Sequence, residues 1–139
     1  MGHNSTPQNS LWRDTLEGPQ KDRPALTTDT SVDIAIIGAG FTGLWSAFHL
    51  INQNPGLSIA VFERDCVGYG ASGRNGGWAS ALYPISHERL VRENGTEAAL
   101  LVRRLWHESI AQIEDFSTSE NVDIDFYRGG TLTVARNKA

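Results

Sequence analysis

The chain has 139 residues, 40% of them hydrophobic and 20% charged, with 12 Lys and Arg against 16 Asp and Glu and a formal net charge of −4. That is the length of one domain at the composition of an average soluble protein. The acidic balance excludes a basic nucleic-acid face and a polybasic membrane patch. A lone Cys66 excludes an internal disulfide framework and any CxxC pair, and no apolar run approaches membrane-spanning length. A soluble protein of a reducing compartment, the cytoplasm, is expected.

Residues 1–30 read as a polar arm, with Pro7, Pro19 and Pro24 and no amphipathic period. Leu11, Trp12 and Leu16 are its candidate anchors. Met1–Thr6 fits the short myristoylation pattern, but one acyl chain anchors only marginally. No secretory leader is evident, so the N-x-T triplets at Asn4 and Asn94 carry no glycan argument.

Residues 31–83 hold the informative stretch. Val32–Ile37 is β-branched and apolar at nearly every position after Asp33, the pattern of a strand covered on both faces of a parallel sheet. It runs into Gly38-Ala39-Gly40-Phe41-Thr42-Gly43. Leu44, Ala47, Phe48 and Ile51 then fall on one helical face, until Asn52-Gln53-Asn54-Pro55-Gly56 stops the helix. Leu57–Phe62 is a second buried strand, ending at Glu63. The sum is one right-handed βαβ unit.

Glycines cluster in ordinary turns, so the context decides. Gly38 permits a sharp turn, Gly40 admits a pyrophosphate close to the backbone, and Gly43 lets the helix pack on the strand. The helix N-terminus offers N–H groups and a positive dipole end to phosphate. Glu63 stands twenty positions after Gly43, where a carboxylate can accept ribose hydroxyls. These features predict a dinucleotide site. The acid disfavours NADP but does not separate NAD from FAD. A second glycine-rich run, Gly68 to Trp78 with Ser72, Arg74 and Asn75 inside it, suits a backbone laid along a pyrophosphate and a flat ring.

Residues 84–139 predict a helix capped by Ser86 over His87–Asn94 and stopped at Gly95, then a longer helix from Thr96. Val102, Leu105, Trp106, Ser109, Ile113 and Phe116 form its expected core stripe. Ile124–Tyr127 and Thr131–Ala135 flank Arg128-Gly129-Gly130 as an expected hairpin. His107-Glu108 and His87-Glu88 lack the second histidine of a zinc motif, with Ala111 and Val91 in its place, so no metal site is expected. Ser72 has no motif-linked triad partner. His49 and Trp45 read as packing or surface groups before they read as catalytic ones, while Trp78 and Tyr83 suit the flank of a flat ring and aromatic packing equally.

Val32 to Pro84 resembles the FAD-binding segment of the D-amino-acid-oxidase-like (DAO-type) FAD-dependent oxidoreductases. Gly70-Ala71-Ser72-Gly73-Arg74-Asn75-Gly76-Gly77-Trp78 is most similar to the gamma-glutamylputrescine oxidoreductase-like branch. A weaker likeness extends to Leu11-Trp12, Thr15 and the Phe126–Arg136 stretch. The resemblance implies an α/β fold, with a Rossmann-like βαβ unit, then helices and a hairpin that begin an incomplete substrate domain. Gly38, Gly40, Phe41, Thr42 and Gly43 would face the FAD pyrophosphate, Glu63 would hold the adenine ribose, and Arg64 would lie beside the adenosine. Ala71, Ser72 and Arg74 would border the phosphates and ribityl chain; Asn75, Gly76 and Gly77 would approach the isoalloxazine ring. The implied activity is oxidation of a C–N bond in a small amine or amino acid. Family members are much longer, so an N-terminal fragment is expected. A non-catalytic dinucleotide-binding module and an NAD-dependent enzyme stand as alternatives.

Overall fold

The computed structural model describes residues 10–18, 23–132 and 134. The chain divides into two compact units, Met1–Gly77 and Trp78–Ala139.

In the first unit, β1 (Ile34–Ile37) pairs in parallel with β2 (Ile59–Phe62), with Ile34 opposite Ile59 and Ile37 opposite Phe62. A parallel pair needs a crossover, and α2 (Phe41–Gln53) provides it. The Gly38 amide extends the ladder by donating to the Phe62 carbonyl at 2.7 Å. Both strands start later than expected. The Asp33 and Ile34 amides converge on the Ser58 carbonyl, at 3.0 and 3.2 Å, which interrupts regular pairing. Side chains close this end instead. Asp33 Oδ2 accepts from the Ser58 amide at 2.8 Å and its hydroxyl at 2.6 Å, while Ser58 Oγ accepts from the Asp33 amide.

Two sequence expectations need correction here. Ile34 and Ile36 are half-buried, but Ile37 is 83% exposed, so β1 is covered on one face of its pleat rather than two. On α2 Gly43 is buried and Trp45, Ala47, Phe48 and Leu50 are half-buried, so Ala47 and Phe48 of the expected face are covered whereas Leu44 and Ile51 are exposed. Gly43 seats against Gly38 and Ile36, and that contact rotates the helix away from the purely apolar stripe. Trp45 stacks on His49 across a 5.4 Å centroid distance and meets Phe48 edge-on. The arm contributes α1 (Leu11–Asp14), a single turn with Ser10 Oγ accepting from the Arg13 amide. Leu11 and Leu16 stay exposed there; Trp12 makes the contact.

In the second unit, Ser86 caps α3 (His87–Asn94) through the Arg89 amide, and Gly95 at φ +83° separates it from α4 (Thr96–Ser119). Such a cap stabilises a helix by about 1 kcal/mol. Ala99 is buried where α3 and α4 pack. The α4 stripe is only partly a core: Val102, Trp106, Ile113 and Phe116 are half-buried, while Leu105 and Ser109 are exposed. Trp106 meets Tyr83 at 5.6 Å.

The expected hairpin does not form among the described residues, which hold no strand between 122 and 132. Asp125 adopts φ +51°, and its amide donates to Asp123 Oδ1 at 2.9 Å, so an Asx turn replaces the extended run. Arg128 also pairs with Glu114 on α4. Thr133 and Ala135 lie outside the described residues. Among the described residues no helix is long and apolar enough to cross a membrane, and no His, Cys, Asp or Glu cluster could hold a metal ion.

Candidate cofactor site

The site is built in the first unit, where the chain leaves β1 and β2. Gly43 is the position that allows it: a Cβ there would lie 2.0 Å from the Gly38 carbonyl oxygen. Only a glycine lets α2 begin so close to the strand exit. No acidic residue occupies the first turn of α2, so its positive dipole end is left for an anion.

The second glycine run repeats the arrangement. A Cβ on Gly73 would lie 2.1 Å from the Gly68 carbonyl oxygen, and Ala71–Gly73 forms a single 3-10 turn. Two hydrogen bonds join the runs. The Gly68 amide donates to the Ala39 carbonyl at 2.9 Å, and the Phe41 amide donates to Ser72 Oγ at 2.9 Å. Gly40 opens toward that hydroxyl, at 2.9 Å from the position a Cβ would take.

Glu63 ties the first run to the end of β2. Its Oε2 accepts from the Ala39 amide at 2.8 Å, and its Oε1 accepts from the Asp65 amide at 3.1 Å. These bonds, the Ala39 one foremost, hold its carboxyl below the ordinary glutamate range and so keep it ionised. Each oxygen retains a further lone pair for a hydroxyl donor. The adjacent Arg64 reaches Asp65 at 3.0 Å with its side chain 85% exposed.

The remaining candidates divide into groups facing the junction and groups spent inside the second run. Gly38, Gly40, Phe41, Gly43, Glu63 and Ser72 meet at the junction. Thr42 sits exposed in the first turn of α2, and Ala71 is exposed at the 3-10 turn. Arg74 donates from Nε to the Gly70 carbonyl at 3.2 Å, with its guanidinium 5.9 Å from the Tyr69 ring centre. Asn75 braces its own loop, with Oδ1 accepting from the Gly77 amide at 2.7 Å and Nδ2 donating to the Ser72 carbonyl. Gly76 is exposed, with open space where a Cβ would project.

These features suit a dinucleotide: a carboxylate with acceptor capacity, a helix end clear of acids, and glycines where backbone must come close. The comparisons with known proteins point the same way. Residues 33–139 match the FAD dependent oxidoreductase (DAO) family. The chain belongs to that family. It is 33% identical over 112 residues to gamma-glutamylputrescine oxidoreductase of Escherichia coli, covering 81% of this chain and 26% of the relative. It is 35% identical over 118 residues to the protein named probable oxidoreductase OrdL of Haemophilus influenzae, covering 83% of this chain and 26% of the relative. A Rhizobium meliloti protein of the same name is 28% identical over 106 residues, covering 76% of this chain and 24% of the relative. The chain thus spans about a quarter of the length of these relatives. No solved structure matches it.

Sequence reasoning missed two supporting groups, Ala39 and Arg13, and named a third, Trp12, only as an anchor of the arm. Ala39 donates to Glu63 through its backbone, which no side-chain pattern reveals. Arg13 donates to Cys66 Sγ, and Trp12 donates to Asn75, across 53 and 63 positions. Only the apolar residues of the arm hinted at those contacts.

Proposed function

We propose that this chain holds FAD for an oxidoreductase acting on the C–N bond of a small amine or amino acid. One observation carries the cofactor part: the two glycine runs meet through Ser72 and Phe41 beside an ionised Glu63. Family membership supports FAD as the dinucleotide. The name of the Escherichia coli relative supports an amine substrate.

When bound, the flavin supplies a two-electron acceptor for a hydride from the carbon bearing the amine. The work of the chain is to bind and aim. Gly38, Gly40, Phe41, Thr42 and Gly43 line the pyrophosphate; the positive end of the α2 dipole, with the amides at the start of that helix not already engaged, orients it. Glu63 accepts from the adenine ribose, with Arg64 beside the adenosine. Ala71, Ser72 and Arg74 border the phosphates and ribityl chain, and Asn75, Gly76 and Gly77 approach the ring. No acid, base or substrate clamp is assigned.

The test is anaerobic. The FAD-loaded, desalted chain is mixed in turn with amines, amino acids and 2-hydroxy acids while the oxidised-flavin absorbance is followed. Bleaching by an amine or amino acid, with 2-hydroxy acids inert, is expected. Bleaching by 2-hydroxy acids alone, or retention of NAD in place of FAD, overturns the proposal. A second reading, a dinucleotide-binding module without turnover, rests on the same glycines and Glu63. Retained FAD that no donor bleaches selects it.

A further inference from the structure

The N-terminal arm reaches the second glycine run at one place. Trp12 Nε1 donates to the Asn75 carbonyl at 2.8 Å. The same indole covers Gly77, with ring carbons 2.7 Å from where a Cβ would stand. Gly77 adopts φ +72°, a conformation that L side chains rarely take. One side chain therefore fixes a carbonyl and fills the face of a glycine two residues later. Around it, Asn75 Oδ1 holds the Gly77 amide, so the indole completes a braced Asn75–Gly77 backbone.

We infer that Trp12 is a positioning residue for the flavin ring, presetting the backbone of Asn75–Gly77 from the N-terminal arm. The inference rests on the FAD reading given above. Among the described residues Trp12 forms no hydrogen bond to the first glycine run or to Glu63, so its effect falls on one half of the dinucleotide. A loop already ordered before binding loses less entropy on binding, which appears as affinity for the ring-bearing ligand. ADP, which carries the adenosine and pyrophosphate without the ring, is insensitive to it.

The experiment compares FAD and ADP affinities of the full chain for wild type, Trp12→Ala, Trp12→Phe, Gly77→Ala and the double variant Trp12→Ala/Gly77→Ala. Hydrogen exchange of the peptide containing residues 74–78 is measured without ligand. Trp12→Ala should weaken FAD about tenfold, the effect of losing one well-placed contact, leave ADP unchanged and speed exchange. Trp12→Phe, which keeps a ring but loses the N–H, should recover part of the affinity. Gly77→Ala should mimic Trp12→Ala by expelling the indole, and the double variant should be no weaker than either single one. Equal loss of FAD and ADP, or unchanged FAD affinity and exchange in Trp12→Ala, overturns the inference. Wild type that binds ADP but not FAD, or neither, overturns the FAD reading and this inference with it, whereas the exchange rates still report whether the indole braces the loop.

Discussion

In the first glycine run, a methyl group on Gly43 would strike the Gly38 carbonyl at 2.0 Å; in the second, Gly73 stands in the same relation to Gly68, at 2.1 Å. Both pairs are five residues apart, and both first glycines have positive φ. What backs the two runs differs. The first lies between β1 and α2, a helix of 13 residues. The second contains only a single 3-10 turn and is held by Asn75, Arg74, Ser72 and the distant Trp12. Regular structure carries one turn, and individual side chains carry the other. Local opening should therefore be easier in the second.

The largest expected effect separates the two. Gly43→Ala should cost about 1–3 kcal/mol of unfolding free energy, because the helix must move off the strand. Gly73→Ala meets an equally close oxygen but can be relieved by opening the short turn. It should lower the urea midpoint less while weakening FAD more relative to ADP. Equal losses of stability in the two variants would remove the distinction.

Glu63 braces the first run, and Glu63→Gln should cost about 1 kcal/mol through its two backbone bonds. Its carboxyl titrates below the ordinary value. Its contribution is therefore complete above the unfolded-chain pKa of about 4.3 and is lost as pH falls through the lower folded value. Glu63→Gln should flatten the acid limb of the stability curve; an unchanged limb places the acid sensitivity elsewhere. Ser72→Ala removes the bridge to the Phe41 amide and should cost under about 1 kcal/mol, with faster exchange at Phe41 as the sharper readout. Asp33 is also held below the carboxylate range, first by the Ser58 hydroxyl and then by its amide. Because that pair is exposed, Asp33→Asn should give the smallest change in urea midpoint and leave FAD affinity intact.

The βαβ unit was legible because β-branched runs, a glycine exit and a helical period coincide between Val32 and Phe62. The helix pair was legible through Ser86 and Gly95, whose capping chemistry is local. Among the described residues the expected hairpin fails because Asp125 alternates correctly with its neighbours yet turns on the Asp123 side chain. On α2 Ala47 and Phe48 are covered as expected, whereas Leu44 and Ile51 are exposed where Gly43 packs close to the strand exit. At the site, the glycines and Glu63 could be found by spacing. The partners that tie them, Ala39 N–H, Ser72 Oγ and the Trp12 indole, depend on tertiary approach and leave no periodic trace.

The central claim is that the two runs together form one FAD cradle. Titrating FAD into the purified, folded chain and following flavin fluorescence and absorbance tests it most directly. Saturable binding that survives desalting, and that both Gly43→Ala and Gly73→Ala weaken, is the predicted result. A folded chain that leaves the flavin spectrum and fluorescence unchanged at every concentration contradicts it.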